Sequence, residues 1–451
     1  MDVKHPDNDN GEPSRAVTRR EILKTGAKGA LGLGAAATLG SVATPALASP
    51  ALMRHNAPQE IKVLSWFQYE PGRNAAWATM YKKFNASQND YKVTVSGWES
   101  NSFTTQVLIQ AQAGSIDADV IHLIPDLGLR VMQLGLLAPI DDIIAKAGVH
   151  PTKAHDFMRM NGHLYGLSIV EVPFALIYNK AILDKAGIKQ PATTIDGWNQ
   201  QLKMMTRKPA QYGLWEPSAP SEVFGWWFFM QQYGLAYGGV WAKDKTSLLT
   251  SDPIVKAMEL WLSQYKSVEP QGTTSTQSLR LIGNGAVAET QTVSAAVNQY
   301  KVVAPTTYAN LRSIAPPWHG KKSTSRLHPI GIVAGTKKMD GAKAFVEFMA
   351  KPENMAQLME LCLDVVPPYP EVWKVPGFKA YMDSQFWAKG YLDIDPVPFP
   401  SVMGDYIRYN TEFGNIVTTQ MQKAMLGQAS VADALAAAQK QVLAQLGPRL
   451  G

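Results

Sequence analysis

The chain has 451 residues, of which 46% are hydrophobic, and its formal net charge is +6 at neutral pH. This charge is modest and no basic run is dense enough to follow a phosphate backbone, so we expect no nucleic-acid partner. A single cysteine, Cys362, excludes an intrachain disulfide, and its place between two leucines predicts a buried apolar residue and not a nucleophile.

The first predicted element is an export signal at residues 1–48. A basic segment, residues 18–24, contains Arg19 and Arg20 and is followed by a weakly apolar, glycine-rich run and an Ala-Leu-Ala sequence. This pattern resembles a twin-arginine signal peptide, recognised by the twin-arginine translocase and cleaved before Ser49. The alternative, a basic tail before an ordinary helix, is disfavoured because glycines make a poor helix. We expect a periplasmic or secreted mature chain, soluble and without a lipid anchor, since no cysteine lies near its start.

Strands and helices alternate at the start of the mature chain. Apolar or alternating runs predict strands at residues 61–66, 91–96 and 119–123. Between the first two strands the apolar residues recur with helical spacing, at Trp77, Met80, Tyr81 and Phe84. This β-α-β order predicts an α/β fold, and roughly 400 residues after the signal are enough for two lobes.

A strand joined directly to a helix is predicted in the middle of the chain. Residues 172–178 are apolar and extended in character, and Asn179 is suited to cap a helix. Ile182 and Leu183 would point inward, and Gly187 fits the end of that helix.

The last predicted helix begins after Ser430, which is a suitable cap, and Asp433 would complete a capping box. One stripe of this helix is apolar and comprises Val431, Leu435, Ala438, Val442 and Leu446.

Residues 173–191, PFALIYNKAILDKAGIKQP, closely resemble a segment of the family 1 extracellular solute-binding proteins of ABC importers, especially the sugar binders. Four further segments resemble that family in the same order, at residues 113–120, 134–140, 162–167 and 342–354. Each segment is weakly specific alone, but their order and spacing cover nearly all of the mature chain.

This resemblance implies a two-lobed periplasmic-binding-protein fold of type II, in which each lobe is a mainly parallel sheet flanked by helices. The N-terminal lobe would comprise residues 49–170 plus 329–366, and the C-terminal lobe residues 171–328 plus 367–451. The chain would cross between the lobes near residues 169–173, 328–332 and 365–370.

Polar and aromatic residues that follow the predicted strands are the first candidates for a ligand site, because ligands of open α/β sheets bind beyond the carboxyl ends of the strands. These candidates are Trp66, Gln68, Glu70 and Asp126. Carboxylates and amides suit sugar hydroxyls, and an aromatic ring suits the C–H face of a pyranose. Three of them also have a structural explanation: Trp66 as a buried strand residue, Asp126 as a helix cap and Glu70 as a solvated loop acid.

The resemblance adds further ligand-binding candidates: Glu171, Glu222, Trp227, Tyr409 and Phe413. A Trp/Phe cluster at helical spacing is more often core than a ligand platform, so of the adjacent Trp226 and Trp227 we expect one to pack inward and one to face the cleft. Trp227 is the candidate for the cleft position, and a core position is the alternative. If Trp227 faces the cleft, replacing it by alanine would weaken ligand binding more than stability.

One departure from the family affects ligand size. Residues 289–294 read Glu-Thr-Gln-Thr-Val-Ser where the family usually has an aromatic stacking element. We therefore expect a disaccharide, a monosaccharide or a polyol and not a long oligosaccharide.

The expected mechanism is binding without bond breaking: two lobes close on a carbohydrate or polyol, and the closed form is presented to the permease subunits of an ABC transporter. We expect no cofactor, and we expect the protein to be a monomer. The sequence contains no Gly-Lys-Ser/Thr phosphate loop, so the energy for transport would come from a partner ATPase.

Two alternatives remain open at this point. A secreted carbohydrate-active enzyme is disfavoured because the histidines lack metal-ligand spacing and no Gly-x-Ser-x-Gly elbow occurs. The second alternative is a binding protein for a different solute, namely a polyamine, an amino acid or a sugar phosphate. A phosphate would need Arg or Lys in the cleft, and the candidates after the strands supply acids, Gln and aromatics instead.

Overall fold

The computed structural model of the protein describes residues 57–219 and 223–451. The predicted signal peptide, residues 1–48, and the candidate Glu222 lie outside the described residues. Within the described ranges, no helix combines the length and the apolar character needed to cross a lipid bilayer.

The strands of this part of the chain are numbered in chain order. They are β1 (Gln59–Leu64), β2 (Tyr91–Ser96), β3 (Val120–His122), β4 (Leu137–Ala138), β5 (Arg159–Met160), β6 (His163–Leu164), β7 (Leu167–Asn179), β8 (Tyr212–Leu214), β9 (Ala242–Lys243), β10 (Thr246–Ser247), β11 (Val287–Val293), β12 (Leu311–Ile314), β13 (Lys322–Val333) and β14 (Asp395–Pro398).

The helices are numbered in the same way. They are α1 (Arg73–Ser87), α2 (Ser100–Gln112), α3 (Pro125–Gln133), α4 (Asp141–Ala147), α5 (Lys180–Lys185), α6 (Ile195–Met205), α7 (Val223–Tyr233), α8 (Asp252–Val268), α9 (Ser275–Gly283), α10 (Ser294–Val303), α11 (Pro305–Asn310), α12 (Met339–Ala350), α13 (Pro352–Cys362), α14 (Phe378–Ser384), α15 (Lys389–Leu392), α16 (Asn410–Met425) and α17 (Val431–Gln445).

The main sheet has the strand order β2-β1-β3-β13-β7-β11-β8, with β4 and β14 paired to β13 and β12 paired to β7. β1 is parallel to β2 and β3, and β8 is parallel to β11. The long strands β13 and β7 are antiparallel to each other, and each is antiparallel to its other neighbour in this order. The α/β class is confirmed, but the sheet is mixed and not mainly parallel, because these two antiparallel strands run through its centre.

Strand β7 belongs to both halves of the sheet. Its first part, from Leu167 to Pro173, pairs with β13, and its second part pairs with β11 and β12. Val366 forms a bridge to Glu171 of β7, and the Ser168 amide donates to the Tyr369 hydroxyl oxygen at 3.2 Å. The three predicted crossing segments therefore lie side by side.

Several predicted elements occur where the sequence placed them. β2 has the predicted bounds, and α1 buries Trp77, Met80 and Phe84. Asn179 caps α5 by accepting from the Ala181 amide at 3.1 Å. Ser430 caps α17 by accepting from the Asp433 amide, although the Asp433 carboxylate accepts from the Ser430 hydroxyl and so forms no reciprocal capping box.

Buried apolar side chains form two clusters, which we call the first core and the second core. The first core includes Ile61, Trp77, Val120, Phe345 and Met359. The second core includes Met230, Trp241, Trp261, Val417 and Leu435. The first core also includes Val287 and Tyr300, which the sequence analysis assigned to the C-terminal lobe. The two cores therefore do not correspond to the two predicted lobes, and the lobe boundaries remain a prediction.

Cys362 lies in the first core and is fully buried. Burial raises the pKa of its thiol, so the thiolate needed for nucleophilic chemistry is strongly disfavoured. The prediction of a buried cysteine is confirmed, and the raised pKa agrees with the expectation that Cys362 is not a nucleophile.

Candidate functional site

The candidate site lies where the first core meets the second, against the crossing strands β7 and β13. Side chains alternate between the two faces of a strand, so Arg326 and His328 of β13 point to one face and Ser325 to the other. Ser325 donates to the Glu171 carboxylate at 2.6 Å, which places Glu171 on the face opposite Arg326.

Asn410 is the centre of a buried polar cluster on the Arg326 face. Its side-chain oxygen accepts from Trp227 Nε1 and from Gln231 Nε2, each at 2.7 Å. Its side-chain nitrogen donates to Asp126 at 3.4 Å. Gln231 in turn accepts from the Arg326 guanidinium at 2.5 Å. We call these five residues the Asn410 cluster.

Two helix N-termini position the polar ends of this cluster. Asp126 lies in the first turn of α3, which begins just after β3 and packs on the first core. Asn410 is the first residue of α16, whose buried face belongs to the second core. The Asn410–Asp126 hydrogen bond therefore joins the two cores.

Arg326 is held by aromatic rings and not by a carboxylate. Its guanidinium lies 3.9 Å from the centre of the Phe399 ring and 4.1 Å from that of Phe228. The side chain is 9% exposed. Burial lowers the pKa of Arg326 to about 9, and nearby Asp126 partly offsets that shift, so Arg326 remains charged at neutral pH.

Asp126 is 7% exposed, and burial raises the pKa of its carboxyl group. The Arg326 charge and the Asn410 hydrogen bond act in the opposite direction. A hydroxyl that donated to this carboxylate would replace the solvation that burial removes.

A narrow crevice opens beside the Asn410 cluster. Its lining includes Asp126, Leu127, Arg130, Arg408, Asn410 and Glu412. The free space is about 10 Å³, close to the room of one water molecule. A sugar ring cannot enter a space of this size unless the two sides move apart.

A second polar cluster lies at the crossing segments. Arg73 contacts Glu70 at 3.5 Å and Asp364 at 3.4 Å, and the Ser294 hydroxyl donates to Asp364 at 2.9 Å. Burial raises the pKa of Asp364, and the Arg73 charge counteracts this effect. The predicted residue Glu70 is therefore an ion-pair partner and not a freely solvated loop acid.

Trp66 is not exposed to the crevice. It is 2% exposed and stacks on His122, with ring centres 3.9 Å apart and an interplanar angle of 12°. His122 is itself tied to the Ser65 hydroxyl at 2.9 Å. Trp66 is thus a core residue of this structure, while Gln68 lies half-buried in the short turn that follows.

Neither of the adjacent tryptophans is exposed, contrary to the expectation that one faces the cleft. Trp226 is 2% exposed and Trp227 is 0% exposed. The Trp227 ring packs against Trp241 and Phe413 in the second core, with ring centres 4.8 and 5.5 Å apart. Its link to the crevice is the hydrogen bond from its indole nitrogen to Asn410.

The remaining candidates lie in different surroundings. Phe413 is fully buried beneath Trp227, whereas Tyr409 donates to the Arg449 carbonyl oxygen at 2.9 Å and lies under the Arg449 guanidinium. Glu171 lies on the far face of β7, and burial raises its pKa. The structure brings Asp126, Trp227 and Phe413 together around Asn410 and leaves the other described candidates outside this cluster.

Sequence reasoning missed Arg326, Asn410 and Gln231. Arg326 lies within a strand and not after one, and Asn410 and Gln231 lie in helices that no strand end identifies. The available signal for Arg326 was a charged residue in the interior of a long strand pattern whose other lysine or arginine is Lys322, at its first position.

In the described residues, no group of three or more His, Cys, Asp or Glu side chains is arranged to hold a metal ion. The donors and acceptors of the Asn410 cluster are amides, a carboxylate, an indole and a guanidinium, which is the inventory that sugar hydroxyls and small polar solutes require.

Comparisons with known proteins agree with this geometry. Residues 79–384 match the model of a family described as bacterial extracellular solute-binding protein. The maltotriose-binding protein of Pyrococcus abyssi (strain GE5 / Orsay) is 24% identical over 334 residues, which span 70% of this chain and 69% of that protein.

Solved structures resemble most of the chain. The GacH receptor of Streptomyces glaucescens GLA.O, solved without ligand and with acarbose, has a TM-score of 0.74 and 18% identity over 86% of this chain and 98% of that one. A solute-binding protein from Thermotoga lettingae TMO bound to α-D-tagatose has a TM-score of 0.73 and 16% identity, covering 87% of this chain and 100% of that one. At these identities the likeness shows the fold.

Proposed function

The chain belongs to the bacterial extracellular solute-binding protein family, and from this premise we propose that it is the solute-capturing component of an ABC importer. Its solute is a sugar or a polyol. The protein captures this solute by closure of two lobes and delivers it to a membrane permease without altering it.

The two-lobed type II fold expected from the sequence is confirmed by the solved structures that resemble the chain. In this fold a ligand is bound between the lobes. The observation that carries the proposal is the Asn410 cluster, a set of buried hydrogen-bonding groups contributed by both cores and bordered by aromatic rings.

Each group of the cluster has a distinct use for a polyhydroxyl solute. Asp126 accepts from hydroxyls, Asn410 and Gln231 both donate and accept, and Arg326 donates from a fixed plane. These groups already bond one another in the closed arrangement, so a solute must replace protein contacts with contacts of its own. This requirement supports selectivity, because a solute that leaves a buried group unpaired binds poorly.

Opening and closing follow from the size of the crevice. Since about 10 Å³ cannot hold a sugar ring, the solute enters an open form, and closure over it joins the two cores through their contacts with the solute. The energy for transport belongs to the ATPase of the importer. The chain supplies capture, selectivity and a closed surface for the permease.

The finer features of the proposal rest on the sequence. We propose export by the twin-arginine translocase and cleavage before Ser49, giving a soluble monomer outside the cytoplasm that carries no lipid anchor. The lobes would have the boundaries predicted above, and the ligand residues would come from the predicted set together with Arg326, Asn410 and Gln231.

One segment of this chain supports a small solute. The relatives are described as binding molecules that range from a monosaccharide, α-D-tagatose, to oligosaccharides such as maltotriose, so the relatives do not decide its size. In this chain, residues 289–294 contain no aromatic side chain, and Glu289 instead accepts from the Trp198 indole at 2.7 Å inside the second half of the sheet. A disaccharide, monosaccharide or polyol fits this region better than a long glucan.

A thermal-shift screen of the mature protein against sugars and polyols tests the proposal. A bound solute raises the melting temperature with its concentration, because it binds only the folded state. Chromatography of the same mixtures should recover the solute unchanged. The absence of a shift across the whole set, or the appearance of hydrolysis products, would refute the proposal.

A further inference from the structure

Arginines outnumber carboxylates at the crevice. Arg130, Arg408, Asp126 and Glu412 line it, and Arg326 adjoins it through Gln231 and Asn410. Arg449 contacts Glu412 from the outer side, at 3.6 Å. Among the described residues, the crevice therefore has more positive than negative side chains around it.

The carboxylates do not neutralise these arginines evenly. Glu412 is shared by Arg130 at 3.7 Å and Arg449 at 3.6 Å. Neither Arg326 nor Arg408 forms an ion pair with any described residue, and the Nε atom of each is buried without a hydrogen-bond partner. Two guanidinium groups are thus left with unused donors beside the crevice.

Buried donors of this kind are costly when they have no acceptor. Arg326 is 9% exposed and its planar faces are covered by Phe228 and Phe399, so an acceptor can approach only along its edge. A guanidinium edge matches the two oxygens of a carboxylate or a phosphate better than it matches any neutral group.

Two helices also begin at the crevice. α3 contributes Asp126 and Leu127 from its first turn, and α16 contributes Asn410 and Glu412 from its own. The N-terminus of a helix has free amide hydrogens and a partial positive charge, which favour an anion. Each of these two helices already has an acidic residue in its first turn, Asp126 or Glu412, so the anionic group is assigned to the arginines and not to the helix ends.

We propose that the solute is a sugar or polyol that carries one anionic group, a carboxylate or a phosphate ester, bound by Arg326 and Arg408. The hydroxyls of the same solute would contact Asp126 and Asn410. This inference rests on the proposed function, because it names the chemical class of the solute captured at the same site.

The inference revises an expectation from the sequence. A phosphate ligand was disfavoured because the positions after the strands supply no arginine. The structure brings Arg326 from the middle of β13 and Arg408 from the turn before α16 to the site, and neither position follows a strand end.

Matched solute pairs test the charge requirement. We would titrate the mature protein by calorimetry with glucose, glucuronate and glucose 6-phosphate, with galactose and galacturonate, and with glycerol and glycerol 3-phosphate. Inorganic phosphate alone serves as the probe for the anionic group by itself. We expect at least one anionic member to bind about tenfold or more tightly than its neutral partner.

The outcomes separate this inference from the proposed function. If neutral sugars bind and every anionic partner binds equally or more weakly, the inference is wrong and the capture of sugars stands. If no sugar, polyol or anionic derivative in a wider screen binds, both are wrong. The carboxylate and phosphate arms show which of the two anionic groups the site accepts.

Variants locate the anionic subsite. Arg408→Gln should reduce affinity for the preferred anionic solute about tenfold or more and remove most of the difference from its neutral partner. Arg326→Gln should also reduce affinity for the anionic solute. Because the Arg326 side chain packs against two rings, this variant is at risk of unfolding, and Arg408→Gln alone then decides the test.

Arg312→Gln is the matched control. Arg312 also lies over a phenyl ring, that of Phe386, but its guanidinium donates to carbonyl oxygens of its own segment. Arg312 is not among the residues that line the crevice. Its affinities for both members of a pair should equal those of the unmodified protein. An Arg408→Gln variant with unchanged discrimination would overturn the inference.

Discussion

Glu216 and Glu289 are two buried carboxyl groups that have no cation beside them among the described residues. Glu216 is 1% exposed and accepts from the Trp261 indole at 2.9 Å, and Glu289 is 2% exposed and accepts from the Trp198 indole. Burial raises the pKa of Glu216 to about 8 and that of Glu289 to about 7. Both groups therefore hold a proton in the folded protein over part of the range in which an unfolded glutamate has lost it.

This difference makes stability depend on pH in a defined direction. Between about pH 4.5 and pH 8 the folded state binds more protons than the unfolded chain, so the free energy of unfolding should fall as pH rises. Each such proton contributes a slope of up to about 1.4 kcal/mol per pH unit. The free energy of unfolding can be measured with urea at several pH values. For Glu216→Gln it should fall less steeply with rising pH than for the unmodified protein.

The matched control is Glu259→Gln on α8, where the side chain is exposed. Its slope should equal that of the unmodified protein. If Glu216→Gln retained the full slope, the Glu216 carboxyl would not hold its proton in the folded state.

The burial of Trp227 also differs from what the sequence analysis predicted. The side chain is fully buried in the second core, and its indole nitrogen donates to Asn410. Trp227→Ala should therefore lower the free energy of unfolding by about 3–5 kcal/mol, which is typical of large cavities. Denaturant unfolding measures this change.

Trp373→Ala supplies the comparison, because Trp373 is 44% exposed. That variant should change stability by much less. If Trp227→Ala lost solute affinity while keeping its melting temperature, the Trp227 ring would be a ligand platform and not a core residue.

At the scale of elements, the packing of α7 on α16 decides the geometry of the site. α7 is apolar on nearly all sides, which is typical of a helix covered by neighbours all round. It packs against α16 and α8. The close approach of α16 is possible because Gly414 lies opposite Trp227.

A side chain at position 414 should push these two helices apart. The Cβ atom of an alanine there would lie 2.3 Å from Trp227 Cδ1, which is far inside a van der Waals contact. Gly414→Ala should lower the melting temperature, although alanine favours a helix over glycine by about 1 kcal/mol. It should also weaken solute binding, because Asn410 lies one turn away on α16.

Asn415→Ala is the adjacent control, at an exposed position of the same helix. We expect it to be neutral or slightly stabilising. A Gly414→Ala variant with raised stability would show that α7 and α16 are not in the close contact described.

Single elements were predicted well where local chemistry was sufficient. The bounds of β2 and the Asn179 and Ser430 caps depend on alternation and on short side chains next to a helix start. The direction of the central strands was predicted less well, because β7 and β13 pair over a long sequence separation that no local pattern records.

In the proposed function, the two cores move apart and close about three adjacent crossing segments. Contacts between the cores include Asp126 with Asn410 and Arg130 with Glu412. The Arg130–Glu412 pair is partly buried and 3.7 Å apart, and it contributes about 1 kcal/mol, so contacts of this kind hold the closed form only weakly without a solute. A bound solute adds its own contacts to both sides.

Small-angle scattering tests this at the scale of the molecule. Addition of a solute that raises the melting temperature should reduce the radius of gyration, because the open population closes. A sugar that gives no thermal shift should leave the scattering curve unchanged. Identical curves with and without a bound solute would contradict closure.

The amino-acid sequence by itself determined the α/β class, the caps and the family resemblance, because these depend on patterns within short segments. It also identified Asp126, since a residue directly after a strand lies at the carboxyl edge of the sheet. Only the tertiary structure decided that Trp227 is buried, that Arg326 is linked to the crevice through Gln231 and Asn410, and that Asn410 joins the two cores. Those properties depend on which helix faces which strand across hundreds of residues, and packing between distant segments fixes them.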